Sequence, residues 1–147
     1  MKTQLAVIAF AAIGVIPATI AVAAPAAAQV TEASATTAQD FSGDFVRKSK
    51  RLQGSYEVIE RDGQTIIRFS DDFRAARGPD LKVFLSPKTV ADVTGKTAVD
   101  GSINLGELTQ TRGGQEYVVP EGVNLADFGS LLVHCEAYAV LWGGSDL

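Results

Sequence analysis

The sequence is poor in cysteine and histidine, the side chains that bind transition metals and, in the case of cysteine, form covalent cross-links. Its 147 residues include one cysteine, one histidine, one methionine and one tryptophan. A single cysteine cannot form an intramolecular disulfide. Structural zinc sites, iron–sulfur clusters and blue-copper centres each need several cysteine or histidine ligands, so one copy of the chain cannot build any of them. Covalent haem attachment through a C-x-x-C-H motif is excluded on the same ground.

The redox sites that this composition still allows depend mainly on the single thiol and the single imidazole. A haem held by Cys135, by His134 or by a tyrosine is compatible with the composition, as are a site shared between subunits and thiol chemistry at Cys135. In an oxidising compartment an unpaired thiol is buried, cross-linked to a partner, or reactive. These observations leave the cofactor open and predict no metal site.

Positive charge is also scarce, with 13 lysines and arginines against 17 aspartates and glutamates and a net charge of −4. Nucleic-acid binding depends on a concentrated positive field, so nucleic acid is not an expected partner. One basic cluster, RKSKR over 47–51, stands out in this acidic chain. Because the cluster is short and the chain has only three tyrosines, we interpret it as a solvated strand end or turn.

The first 28 residues are typical of a secretory signal peptide. Lys2 precedes an uncharged, alanine-rich run over 5–24, and the alanine triplet over 26–28 has the small-residue pattern that signal peptidase accepts. We predict cleavage after Ala28 and a secreted, periplasmic or cell-surface location. The alternative is an uncleaved anchor, since about 20 apolar residues can span a bilayer core. Pro17 and the high alanine content disfavour it.

A polar segment, QVTEASATTAQD over 29–40, follows without a periodic apolar face and is predicted to be a flexible tether. Residues 41–147 are predicted to form one domain. No further run is long enough to span a membrane, so no span is expected after cleavage. The loss of Lys2 would bring the net charge of the mature chain to −5.

Short β-compatible runs separated by turn residues make up residues 41–147. Asp62-Gly63 between two such runs is a strong hairpin signal, because glycine adopts positive φ without a steric penalty. Helical periodicity is nearly absent. The predicted strands are Ser55–Glu60, Gln64–Ser70, Leu81–Ser86, Ser102–Thr109, Gln115–Val119 and Ser130–Trp142. Such spacing predicts an all-β fold, either an antiparallel β-sandwich or a flattened barrel.

The last predicted strand, SLLVHCEAYAVLW over 130–142, contains both the cysteine and the histidine. Successive side chains on a strand point to opposite faces. Cys135 and Leu141 are predicted to lie on one wholly apolar face, and His134, Tyr138 and Trp142 on the other. Cys135 is therefore expected to point into the core and His134 to lie at the surface or rim. Their divergence argues against a shared metal and against a base–nucleophile pair.

Most of residues 41–147 resembles the DM13 domain, a small extracellular module. The resemblance is carried by the runs GQTIIRFSDDFRAARGPDLKVFLS and INLGELTQTRGGQEYVVPEGVNLADFGSLLVHCEAYAVLWGGSDL. The most specific positions outside the cysteine segment are Asp72, Phe73, Gly78, Pro79, Asp80, Leu81, Gln115, Tyr117 and Pro120. In and after that segment they are Cys135, Trp142-Gly143 and Leu147.

The resemblance implies an all-β domain with one cysteine on its last or penultimate strand, for which an electron-transfer role has been proposed. Cys135 occupies the position of the family cysteine, with His134, Tyr138 and Trp142 as weaker candidates beside it. The chain departs from the family pattern at His134, where a tryptophan is usual, and at Asp146, where a small residue is usual. The change at His134 puts aromatic stacking on a cofactor there in doubt.

Two function classes follow from these observations. In the first, the protein is an exported redox module in which Cys135 holds a cofactor or exchanges electrons with an envelope protein. In the second, it is a non-catalytic cell-envelope binding or interaction domain, and the cysteine is a buried core residue, as free cysteines often are. Nothing in the chain favours a classical enzyme.

Overall fold

The computed structural model describes residues 40–147. The predicted signal peptide and nearly all of the predicted tether, residues 29–40, lie outside this range. Between residues 40 and 147 no helix has the length and apolar character that a bilayer crossing requires. The strands are β1 (Ser42–Asp44), β2 (Val46–Arg47), β3 (Leu52–Gln53), β4 (Ser55–Arg61), β5 (Gln64–Phe69), β6 (Arg74–Ala75), β7 (Leu81–Ser86), β8 (Ile103–Glu107), β9 (Gln115–Val118), β10 (Ser130–Cys135) and β11 (Val140–Asp146). Two 3₁₀ helices cover Leu125–Asp127 and Glu136–Tyr138.

Strands β4 and β5 form the hairpin that the sequence predicts. Arg61 pairs with Gln64 across a two-residue turn, in which Asp62 has φ 53° and Gly63 has φ 76°. Positive φ at both central residues is what a type I′ turn requires, and this turn matches the twist of the strands it joins.

The strands assemble into an antiparallel β-sandwich. A four-stranded sheet has the order β1-β4-β5-β9, a five-stranded sheet has the order β2-β11-β10-β7-β8, and β3 pairs with β6 in a small additional sheet. The chain passes from the first sheet to the second at Phe45, whose side chain is buried between them. The predicted all-β fold is confirmed, in its sandwich form.

A main core fills the space between the sheets. It contains Phe45, Leu52, Tyr56, Ile67, Phe69, Phe73, Ala75, Leu81, Val83, Leu85, Tyr117, Val119, Leu125, Leu131, Val133, Cys135 and Trp142. A smaller outer core on the other face of the five-stranded sheet contains Phe84, Val90, Val93, Ala98, Leu132 and Leu141. Three of these six residues come from the segment 87–102, which therefore covers that face. All six residues of β10 are buried as a result.

The prediction of one continuous strand over 130–142 is wrong. Strand β10 ends at Cys135, the chain reverses through the 3₁₀ turn at 136–138, and β11 returns antiparallel beside it. Ala139 adopts a left-handed conformation with φ 50° and donates its N–H to the carbonyl of Glu136. Alanine adopts this conformation rarely, so the sequence gives no signal of the reversal.

Candidate functional site

Cys135 is the last residue of β10 and points into the main core. It pairs with Leu81 of β7 on one side and with Val140 of β11 on the other, and its side chain is fully buried. The predicted inward orientation of the thiol is confirmed. The sulfur lies among hydrocarbon, one residue before an exposed turn.

Trp142 lies in the same core as Cys135 and not on the predicted face with His134. The prediction failed because the chain reverses after Cys135 and because the β10–β11 pairing shifts register between Val133 and His134. As a consequence Leu141, predicted to share the face of Cys135, lies in the outer core instead.

The indole of Trp142 is held by the loop that precedes β7. Its Nε1–H donates to the carbonyl oxygen of Ala76 at 2.9 Å. A Cβ added at Gly78 would lie 2.9 Å from Cζ2 of the indole and 3.2 Å from Leu81, so only glycine fits without a shift. The loop around Gly78 therefore fixes the position of Trp142, which belongs to the same core as Cys135.

His134 is buried, contrary to its predicted place at the surface or rim. Only 1% of it is exposed, and its ring lies edge-on to that of Phe84 with centroids 6.0 Å apart. Nε2 lies 2.8 Å from the carbonyl oxygen of Gly95. Since a carbonyl only accepts, Nε2 carries the proton, and within residues 40–147 Nδ1 has no hydrogen-bond partner. The segment 87–102 buries this ring, and the sequence of β10 does not reveal that cover.

The imidazole and the thiol therefore lie on opposite faces of one sheet. His134 is hydrogen-bonded to Gly95 beneath residues 87–102, which we call the outer segment. Cys135 packs in the main core. A base acts only within hydrogen-bond reach of the proton that it removes. His134 does not meet this condition, so the two side chains form no catalytic pair, as the sequence predicts.

The turn after Cys135 is tied to the residues before β7. The N–H of Glu136 donates to the carbonyl of Asp80 at 3.0 Å. Nζ of Lys82 donates to the carboxylate of Glu136 and lies 3.4 Å from that of Asp80. The hydrogen bond with Glu136 raises the pKa of Lys82, and Asp80 adds to the shift. The contacts of Glu136 with Asp80 and Lys82 hold the turn closed. The sequence gives no signal of them, because Lys82 and Glu136 are 54 residues apart in the chain.

Tyr138 lies in this turn, outside any strand. It is 70% exposed, whereas its predicted place was on a strand face beside His134 and Trp142. The structure therefore separates the four candidates: Cys135 and Trp142 in the main core, His134 on the opposite face, and Tyr138 in solvent.

The remaining motif residues support the fold. Phe73 is fully buried in the main core, and Asp72 accepts a hydrogen bond from Oγ of Ser70 at 2.5 Å. The hydroxyl of Tyr117 donates to Oε1 of Gln115 at 2.9 Å, and burial raises the pKa of Tyr117 to about 12. The carbonyl of Pro120 accepts from the N–H of Val123 in a turn, and Pro79 precedes β7.

The larger cavities of the described residues do not lie beside Cys135 or His134. A cofactor of the size of haem occupies a cavity of several hundred Å³ next to its ligand. Two larger cavities, of about 520 and 470 Å³, lie along the four-stranded sheet around Glu57 and Arg68. Two smaller ones lie near Pro120 and Pro79. None of these four is lined by Cys135, His134 or Tyr138, whereas Tyr56 lines the cavity of about 470 Å³. Cys135 itself is packed in the core.

Comparison with known proteins gives one match. A family model with the description "Electron transfer DM13" matches residues 44–146. No curated protein and no solved structure matches the chain.

Proposed function

The chain belongs to the DM13 family, whose model covers residues 44–146, and on this premise we propose that it is an exported redox module that exchanges electrons with a partner protein through Cys135. The family description supports electron transfer. The position of Cys135 supports the choice of group, because the thiol stands directly before a turn whose three residues are all exposed.

The reaction that suits a lone thiol is exchange with a disulfide of a partner. When the turn opens, the thiol gives its proton to water, and the thiolate attacks one sulfur of the partner disulfide. A bond forms between the sulfur of Cys135 and the attacked sulfur, and the partner S–S bond breaks. The second partner sulfur leaves as a thiolate. Cys135 is oxidised to a mixed disulfide and the partner disulfide is reduced, so atoms and electrons balance.

Because Cys135 is buried, the exchange reaction can occur only when the thiol becomes exposed. While the turn at 136–138 is closed, the thiol is inaccessible. Exchange therefore requires local opening of this end of the β10–β11 hairpin. Regions held by few contacts open far more often than the whole domain unfolds. The turn at 136–138 has no buried residue of its own. One backbone hydrogen bond to Asp80 and the Lys82–Glu136 ion pair tie it to the start of β7, and Gly95 packs against the adjacent Ala139.

The alternative is a cell-envelope binding domain in which Cys135 only fills the core. The observation in its favour is the complete burial of the thiol in a packed cluster. On this account Cys135→Ala would keep all function and lose about 1–3 kcal/mol of stability through the smaller side chain.

Mass spectrometry of protein incubated with 2-hydroxyethyl disulfide tests the proposal. We expect one mixed disulfide per chain, reversed by dithiothreitol and lacking in Cys135→Ala. The variant should keep the circular dichroism spectrum of the wild type. The contrary result is that the native chain forms no mixed disulfide although the urea-unfolded chain forms it at once. This result would favour the alternative function as a binding domain.

A further inference from the structure

Five exposed cations gather at one end of the five-stranded sheet. They are Arg47, Lys48, Lys50, Arg51 and Arg77, and we call them the basic surface. Four come from the RKSKR cluster, which runs from the end of β2 to the start of β3. Arg77 comes from the loop before β7, more than twenty residues later in the chain. The fold thus enlarges a basic cluster that the sequence shows only in part.

Backbone contacts place the basic surface around Trp142. The N–H of Lys48 donates to the carbonyl of Trp142 at 2.8 Å. The carbonyl of Arg51 accepts from the N–H of Ala76 at 2.8 Å, and the carbonyl of Ala76 accepts from the indole. Arg77 follows directly. The backbone of Lys48, and that of Arg51 through Ala76, is therefore joined to Trp142, which belongs to the same main core as Cys135.

The basic surface lies at the same end of the sheet as the thiol. In the β10–β11 pairing, Cys135 lies opposite Val140 and His134 lies opposite Leu141. On the other edge of β11, the N–H of Ser49 donates to the carbonyl of Leu141. The bend at Lys48 follows β2, which is two strands away from β10 in the sheet. A partner docked on the basic surface would therefore reach the turn after Cys135.

The charge of the basic surface is not balanced within the domain. Between residues 40 and 147 the four ion pairs use Arg61, Arg68 and Lys82 and none of the five cations of the basic surface. The chain as a whole carries a net charge of −4. A local positive field on an acidic molecule attracts and orients an oppositely charged face.

We infer that the basic surface docks the acidic face of the redox partner that reacts at Cys135. This inference rests on the proposed function and adds the class and orientation of the partner. A protein face fits better than a membrane, because Val46 is the only large apolar residue exposed between residues 45 and 78 and interfacial binding adds apolar insertion to charge. Single-stranded nucleic acid is disfavoured because its binding uses exposed aromatic rings, and the basic surface has none.

Two charge-reversal variants with the same change in net charge test the docking surface. Lys48→Glu/Lys50→Glu alters the basic surface, and Lys88→Glu/Lys96→Glu alters two exposed lysines of the outer segment. The probe is fluorescent poly-L-glutamate at low ionic strength, followed by anisotropy. We expect wild type and the outer variant to bind alike, and the basic-surface variant to bind about tenfold more weakly.

Equal weakening in both variants, or no binding by wild type, would overturn the inference. Vesicles containing phosphatidylglycerol form a second arm. Binding to these vesicles that depends on Lys48 and Lys50, without such dependence for poly-L-glutamate, would identify a membrane in place of a protein and would also overturn it.

A third arm joins the docking surface to the thiol. We expect the anionic disulfide 5,5′-dithiobis(2-nitrobenzoate) to react with Cys135 about tenfold more slowly in the basic-surface variant, and the cationic disulfide cystamine to react no more slowly. If neither disulfide reacts while poly-L-glutamate binding still depends on the basic surface, the redox proposal fails and the docking surface stands. If both react at rates that the variant does not change, the docking surface fails and the redox proposal stands.

Discussion

Cys135 and His134 are adjacent in the chain, yet their side chains lie on opposite faces of the five-stranded sheet. The thiol packs in the main core, and the imidazole is bonded to Gly95 beneath the outer segment. The thiol chemistry that we propose at Cys135 would therefore proceed without a histidine base. On this proposal the rate of the reaction would depend on access to the buried thiol, and that access would depend on the turn that follows.

Removing the ion pairs of this turn should make the thiol more reactive. Lys82→Met breaks the contacts with Glu136 and Asp80. An exposed ion pair stabilises only weakly, so the rate of mixed-disulfide formation should rise by up to about fivefold. The matched control is Arg68→Met, which breaks the Arg68–Glu57 pair on the other sheet. Equal rates in both variants would show that the turn does not limit access.

A methyl group at Gly78 should disturb the indole of Trp142. The added Cβ would meet the ring at 2.9 Å, and such overpacking costs about 1–3 kcal/mol. We expect Gly78→Ala to lower the urea midpoint and to shift the fluorescence of the single tryptophan. Gly122→Ala is the control, because its Cβ meets nothing within 4 Å although its backbone has positive φ. It should lose stability with no change in emission, and an unchanged emission in Gly78→Ala would contradict the packing described.

Alkaline pH should destabilise the domain through Tyr117. Burial raises the pKa of Tyr117 from 10 to about 12, so the folded state holds the phenolic proton more tightly than the unfolded state. This contribution is full below pH 10 and is lost as the pH rises towards 12. Urea midpoints should fall over this interval, and less steeply in Tyr117→Phe. Exposed Tyr138→Phe is the control, and a slope as shallow as that of Tyr117→Phe would refute the assignment.

Export should remove the first 28 residues. The alanine triplet over 26–28 predicts a mature chain that begins at Gln29. Mass spectrometry of protein from the extracytoplasmic fraction of the producing cells measures this directly. A full-length chain in the membrane fraction would instead indicate the uncleaved anchor.

Local signals made part of the fold predictable. The Asp62-Gly63 hairpin follows from turn chemistry, and the main β-runs from alternating apolar residues. The reversal at Ala139 could not be predicted, because alanine is an unusual residue for a left-handed position. The burial of His134 was missed for a different reason: its cover comes from residues 87–102, and no pattern in β10 shows which segment will fold over it.

The two departures from the family pattern have a common structural setting. His134 bonds the carbonyl of Gly95, and the carboxylate of Asp146 accepts the N–H of Val90 at 2.7 Å. Both partners lie in the outer segment, so both unusual side chains anchor it to the sheet. The sequence marks these residues as exceptions, but only the three-dimensional structure shows what they share.

The central claim is that Cys135 reacts by local opening of the hairpin end while the rest of the domain stays folded. The urea dependence of its reaction with 2-hydroxyethyl disulfide tests this most directly, because the slope reports the surface exposed in the reactive form. We predict a slope much smaller than that of global unfolding. A slope equal to the global one would contradict the claim and would leave Cys135 as an inert residue of the core.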